Sequence, residues 1–384
     1  VNWLSGLRER RTIGGRVARL VFSAAAVSAM VLGMAGTGSG AAAADTVIDT
    51  IPVGARPAGV AVTPDGSRVY VANNSGTSVS VIDTASNSVV DTIAVGAGPS
   101  EVAVSPDGSR VYVTNSSAAS VSVIDTGTNT VVDTIAVGIA PFGVAVSPDG
   151  SRVYVTNLFD GTVDVIDTGT NTVVDTITIG AFSFGVAVSP LGSRVYVTNQ
   201  SNGTVDVIDT ATNTVVDAIV VGPAPSAVAV SPFGFRVYVT VAGDSTVSVI
   251  NTLTNTVVDT IPVGAGPTDV AVSPTGTRVY VPNQGDDTVS VINTLTDAVV
   301  DTIPVGDFPA GVAVSPDGSR VYVTNQNDDT VSVIAVEKCP GSLCFGTGSF
   351  AGAGAGSTGS AGSTGGGSFA GAGAGAGSAG STTS

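Results

Sequence analysis

The chain contains no histidine, so it lacks the side chain most used as a general base and as a transition-metal ligand. The residues left for chemistry are acidic, aromatic or thiol. Two acid pairs, Asp286-Asp287 and Asp328-Asp329, recur with Asp269 and Asp307 in the same part of the chain. Clustered carboxylates suit Ca²⁺, a hard cation that takes about six to eight oxygens. These acids lack the spacing of a calcium loop, and solvated loop acids are the plainer reading. Five large apolar residues, Phe142, Leu158, Phe159, Phe182 and Phe184, stand where sister segments carry Ser, Ala, Asn or Gly. Exposed together, they would form a patch of the kind that binds partners; tucked inside, they would be core. The two cysteines, Cys339 and Cys344, enclose Pro-Gly-Ser-Leu. In an exported chain they point to a small local disulfide, and no strand–helix context supports a redox motif.

These residues are set on a repeat. Tyr70, Tyr112, Tyr154, Tyr196, Tyr238, Tyr280 and Tyr322 are all the tyrosines, and they are 42 residues apart each time. The motif Asp-Thr-Ile-x-Val-Gly keeps the same beat from Asp49 to Asp301, with Asp217 reading Asp-Ala-Ile. So strict a period means one structural unit copied seven times. In the copy at 102–138, Val102 to Ser105 reads as a strand and Pro106-Asp107-Gly108-Ser109 as a turn, with proline presetting φ and glycine taking the left-handed position. Arg110 to Asn115, Val121 to Asp125 and Val131 to Val137 read as three more strands. Four antiparallel strands in such a length form one blade of a propeller. The last copy ends after its third strand, Thr330 to Ile334, and the missing fourth stands at the front, Thr46 to Val53. The expected fold is therefore all-β: a seven-bladed β-propeller closed by the N-terminal strand, which buries Val47, Ile48, Ile51 and Val53 and hides an open edge. A parallel β-helix, the rival repeat fold, is disfavoured by the tight Pro-Asp-Gly-Ser hairpins.

Tyr112-Val-Thr-Asn115, preceded by Val102-Ala-Val-Ser-Pro-Asp-Gly108 and followed by Val123-Ile-Asp-Thr126, resembles the YVTN β-propeller repeat family. The likeness spans 45–337, with departures at Tyr70-Val-Ala-Asn73, Tyr238-Val-Thr-Val241 and Tyr280-Val-Pro-Asn283. It implies an exported or surface-layer propeller with a binding role. Relatives of similar shape include lactonases and quinone-dependent dehydrogenases, but the repeat itself carries no catalytic set that could be transferred.

Residues 1–44 read as an export signal, with five arginines, an apolar stretch from Leu20 to Ala35, and Ala42-Ala43-Ala44 as a cleavage site. A valine at position 1 fits a bacterial non-ATG start. Arg10-Arg11 leaves the twin-arginine and general routes both open, and a retained anchor is the alternative. Formal charge is −16 for the whole chain and −20 once the signal's five arginines and Glu9 are removed, which disfavours nucleic acid and anionic lipid as partners. Residues 338–384 hold the cysteine loop followed by a Gly/Ala/Ser-rich stretch that reads as a flexible tail or spacer.

In a propeller, the loops between strands two and three share a face with those that join consecutive blades. The five apolar residues and the acids of copies six and seven fall on that face. Glu101 and Asp269, just before the innermost strands, should look into the central channel; four copies apart, they are not expected to form an acid–base pair. The seven repeated arginines, Arg68 to Arg320, read as cross-strand partners of the aspartates equivalent to Asp83, a pairing that lapses where Asn251, Asn293 and Ala335 replace the acid. Together these features predict a secreted or cell-envelope recognition module for a protein or glycan, with no membrane span in the mature chain and no firm cofactor. The alternatives are an enzyme at the channel mouth, Ca²⁺-dependent lactonase-like or quinone-dependent, and a structural surface-layer component.

Overall fold

The computed structural model describes residues 44–337. The expected export signal, the Cys339–Cys344 loop and the Gly/Ala/Ser tail lie outside the described residues. Twenty-eight strands form seven four-stranded antiparallel sheets, the blades of a seven-bladed β-propeller. Blades one to six comprise residues 57–94, 99–136, 141–178, 183–220, 225–262 and 267–304. Blade seven joins 309–335 to the first strand, Thr46–Pro52, which lies antiparallel to Thr330–Ala335 with Ile51 opposite Val331. No helix of the described residues is long and apolar enough to cross a membrane.

Each letter of Tyr-Val-Thr-Asn has a separate task. The second strand of each blade is sandwiched between neighbouring sheets, so Val111, Tyr112 and Val113 are all buried although they alternate in direction. Tyr70 packs against Val111, Val113 and Ile124 of the next blade, and such clusters recur around the ring. The threonine links two blades: Thr156 Oγ1 accepts from Gly143 N at 2.8 Å and donates to Phe184 O of blade four at 2.7 Å. Thr324 does the same between blades seven and one. Where blade six has Pro282 instead, Thr268 supplies the hydroxyl and donates to Ala310 O at 2.8 Å. The asparagine is buried, and Asn115 Nδ2 donates to Ser120 and Ser122 of the adjoining strand.

The closure differs from expectation at one residue. Ile51 is buried, and Val47 and Val53 are half-buried, but Ile48 is 51% exposed. The cause is a β-bulge between Val47 and Asp49, which leaves Ile48 as the extra residue pointing outward. The same bulge recurs in the fourth strand of the other blades, for example between Val123 and Ile124 on the facing strand of blade two. The clasp gains its hold from polar contacts instead. Asp45 receives two hydrogen bonds from Arg278 Nη1 of blade six, at 2.7 and 2.6 Å, one from Tyr280 Oη at 3.3 Å, and one from Glu337 N at 3.0 Å. On the other side, Asn87 of blade one donates to Asp49 at 3.0 Å.

The arginines also depart in part from the expected pairing. The register is the expected one, with Arg68 opposite Asp83, and the ion pair forms at Arg110–Asp125, Arg152–Asp167 and Arg194–Asp209. Arg68 turns away to Asn129 of blade two, and Asp83 caps Ser86. In the three blades that lack the acid, the arginine reaches the next blade: Arg236 to Asp297, Arg278 to Asp45, and Arg320 to Thr84 O and Asn87. These arginines hold blades together and form no anion ring.

Candidate functional site at the channel mouth

One equivalent position on the innermost strand of each blade reads Gly59, Glu101, Gly143, Gly185, Ala227, Asp269 and Gly311, and a Cβ at Gly143 or Gly311 would lie 2.4 Å from a backbone oxygen of the next blade. Five carry little or no side chain, so the space belongs to the two carboxylates. The position before it reads Ala58, Ser100, Phe142, Phe184, Ser226, Thr268 and Ala310. Together these columns bound a cavity of about 380 Å³ at the loop end of the channel, lined by Glu101 and Asp269 below and by Phe142 and Phe184 at the side. Gln200, Gln284, Gln326 and Phe308 line its upper part. The volume is within the range of small-ligand sites.

The ring brings together two acids that the sequence holds far apart. Blades seven and one lie between them, and both side chains lean over those blades. Asp269 Oδ2 accepts from Val312 N of blade seven at 2.8 Å, while its Oδ1 accepts from Val270 N at 2.8 Å. The side chain thus caps a disrupted edge, for the inner strand of blade six is cut to Ala271–Val272. Glu101, within the strand Pro99–Val104, leans over blade one, where a Cβ on Gly59 would lie 2.5 Å from Glu101 Oε2. Gly59 therefore serves as a close-approach position.

Both acids hold their protons more tightly than usual. Enclosure by protein raises the Glu101 pKa well above the ordinary glutamate value, and the negative charge of Asp269 raises it further against one opposing contact from Val102 N. Burial pushes Asp269 up to about 6, despite the two amide hydrogen bonds that favour its charged form. Ionisation of one disfavours ionisation of the other, so the two titrate as a pair.

The five apolar residues divide into two groups. The Phe142 and Phe184 rings meet edge to face, with centroids 5.0 Å apart, and form the cavity wall. Phe159 and Phe182 make a second edge-to-face pair at 6.2 Å on the rim, 61% and 46% exposed, and Leu158 is half-buried in the column of Gln200. The loop acids face inward to their own backbone. Asp286 accepts from Ala265 N, Asp287 from Phe308 N, Asp328 from Asp307 N and Asp329 from Arg56 N, at 2.7, 3.0, 2.8 and 2.7 Å. Among the described residues no group of three or more acids or cysteines is placed to hold a metal ion.

Sequence reasoning missed the rim glutamines, Phe308, and Arg56, which reaches Gln326 Oε1 at 3.4 Å. Alignment of the repeats in columns would have found Arg56 and Phe308, which stand among Gly and Ala, whereas Gln200, Gln284 and Gln326 share one variable column. It also missed the opposite end of the channel, where Leu191, Phe233, Phe235, Leu253 and Leu295 are exposed on the turns of blades four to six. Leu191 and Phe233 replace the aspartate that other turns use to bind their own serines.

Fold and site define a seven-bladed β-propeller protein with an aromatic-walled pocket holding two carboxylates at one end of its channel. Comparison of sequences agrees at the level of the fold. Residues 186–355 match the family model described as lactonase, 7-bladed beta-propeller, and residues 104–194 match that of YNCE-like beta-propellers. No curated protein matches the chain. Among solved structures, a chain of the Kuenenia stuttgartiensis hydrazine synthase is similar, at 27% identity and a TM-score of 0.68 over 73% of this chain and 96% of that one.

Proposed function

We propose that the protein is a non-catalytic recognition module of the secreted or cell-envelope kind, related to the YVTN-repeat propellers, whose binding site is the channel mouth. One observation carries this reading. The inner-strand columns are filled by Gly, Ala, Ser or Thr except at Glu101, Asp269, Phe142 and Phe184, and these four line a single cavity. Packing of the repeat does not require them, since sister blades close without them. A protruding group of a protein or glycan partner enters the cavity, and the exposed Phe159–Phe182 pair beside it supplies apolar contact on the rim.

The test is to plug the mouth. Ala58→Phe and Ala310→Phe place in blades one and seven the side chain that blades three and four already hold in that column. Both variants should fold with unchanged circular dichroism and lose retention on an immobilised cell-envelope fraction. Undiminished retention would overturn the reading. A second reading is favoured by the partial lactonase match: Glu101, a carboxylic acid with a raised pKa, would act as a general acid toward a bound lactone. A pH-stat assay on simple δ-lactones decides it, because enzyme-dependent acid release that Glu101→Gln abolishes would replace the first reading by this one.

A further inference from the structure

Among the described residues, the cavity at the channel mouth is lined by two acids and by no basic side chain. The charge that acts on Glu101 is that of Asp269, and no cationic side chain contributes to the environment of either. The seven repeated arginines begin the second strand of each blade, at the turn end, and are engaged there. Arg56, on the rim, is hydrogen-bonded to Gln326. Of the two carboxylates, Asp269 has both oxygens engaged by backbone amides, whereas Glu101 has only the Val102 amide nearby and lies open to the cavity.

Resting on the reading of the mouth as a binding site, we propose that the Glu101–Asp269 pair takes the ammonium head of an organic monocation, whose apolar stem lies along the Phe142 and Phe184 rings. Three features select this class of ligand. Among the described residues, the two carboxylates are the only titratable side chains that line the cavity, so the charge they attract is positive; a proton held by Glu101 leaves to solvent as the ammonium group takes its place. The aromatic pair attracts a cation at a ring face and covers a hydrocarbon stem, and neither interaction would serve an anion or a fully hydrated metal ion. The side-chain carbonyls of Gln200, Gln284 and Gln326 can accept the remaining N–H donors. Ca²⁺ would need about six to eight oxygens around one point, and the described residues place no third acid there.

The chain has three glutamates, Glu9, Glu101 and Glu337, so full-length protein labelled with [5-¹³C]glutamate gives three carboxyl signals. Butylammonium is the probe and butanol its uncharged counterpart. Butylammonium should move one signal toward the carboxylate position, and that signal should be missing in Glu101→Gln and retained in Glu337→Gln. Because binding expels a proton, affinity should strengthen by up to about tenfold per pH unit below the Glu101 pKa. Glu101→Gln should weaken binding about tenfold or more, by loss of the charge-assisted partner. If the Glu101 signal stays still at high-millimolar butylammonium, or moves equally with butanol, the inference falls. Retention by the plugged variants reads the mouth independently of the ligand's charge, so a failed cation and a failed site give different results.

Discussion

The two ends of the channel use the same functional group in opposite ways. At the turn end, Asp107 and Asp149 each accept hydrogen bonds from two serine hydroxyls and a backbone amide, and those bonds lower both pKa values to about 2. Asp45, near the same end, is almost wholly buried but surrounded by donors. At the loop end, burial outweighs hydrogen bonding, and Glu101 and Asp269 have raised pKa values. The acids that recur with the repeat are engaged in holding turns and blades. The acids that break the repeat destabilise their own charged forms and leave capacity for a ligand.

The largest effect should come from the engaged acids. Arg278→Ala strands Asp45 as a buried charge, and breaking such a pair costs about 3–5 kcal/mol. Arg194→Ala, at a more exposed pair, should cost at most about 1 kcal/mol. Urea unfolding of the two variants measures the difference, and equal midpoints would remove Asp45 from the account of ring closure. Next comes the interblade hydroxyl. Thr324→Val leaves Gly311 N and Ala58 O without their partner and should cost about 1–3 kcal/mol, read in the same way.

The pH dependence of stability sharpens the contrast. Carboxyls with raised pKa in the folded state stabilise it fully below the unfolded values of about 4, and this contribution is lost as pH rises through the folded values, about 6 for Asp269. The turn acids act the other way. Their contribution is present above pH 4 and lost as pH falls through about 2. Stability should therefore decline from about pH 4 toward neutrality and above, and Glu101→Gln should flatten the upper part of that decline. A parallel decline in the variant would show that Glu101 is solvated after all. A smaller effect is expected where the turn end departs from its repeat. Phe233→Asp restores the acid that binds its own turn and should stabilise by about 0.5–1.5 kcal/mol in urea unfolding. The smallest concerns calcium: with Asp286, Asp287, Asp328 and Asp329 each capping an amide, millimolar Ca²⁺ should leave the melting temperature unchanged.

The ring was legible in the sequence because the 42-residue beat sets every strand pair, and the truncated last copy shows where the circle closes. Local patterning did not reveal the bulge at Ile48, since the run Val47-Ile48 is apolar on both sides of the kink. Nor did it show that Arg68 would leave Asp83 for Asn129, because cross-strand register constrains Cα positions and leaves a long side chain free to choose. The site was half legible. Glu101, Asp269, Phe142 and Phe184 stand out as departures from the repeat, but their meeting in one cavity depends on curvature that closes the ring. Four copies of sequence separation between the acids become a gap of two small-residue blades; Gly59 leaves room for Glu101 to lean over blade one, and Val312 N draws Asp269 over blade seven.

The central claim is that Glu101 is an acid left free by the fold. A pH titration of the three [5-¹³C]glutamate carboxyls measures it directly. One signal, lost in Glu101→Gln, should titrate well above the ordinary glutamate range, with a second inflection as Asp269 ionises near pH 6. Three signals titrating together near about pH 4.3 would contradict the account.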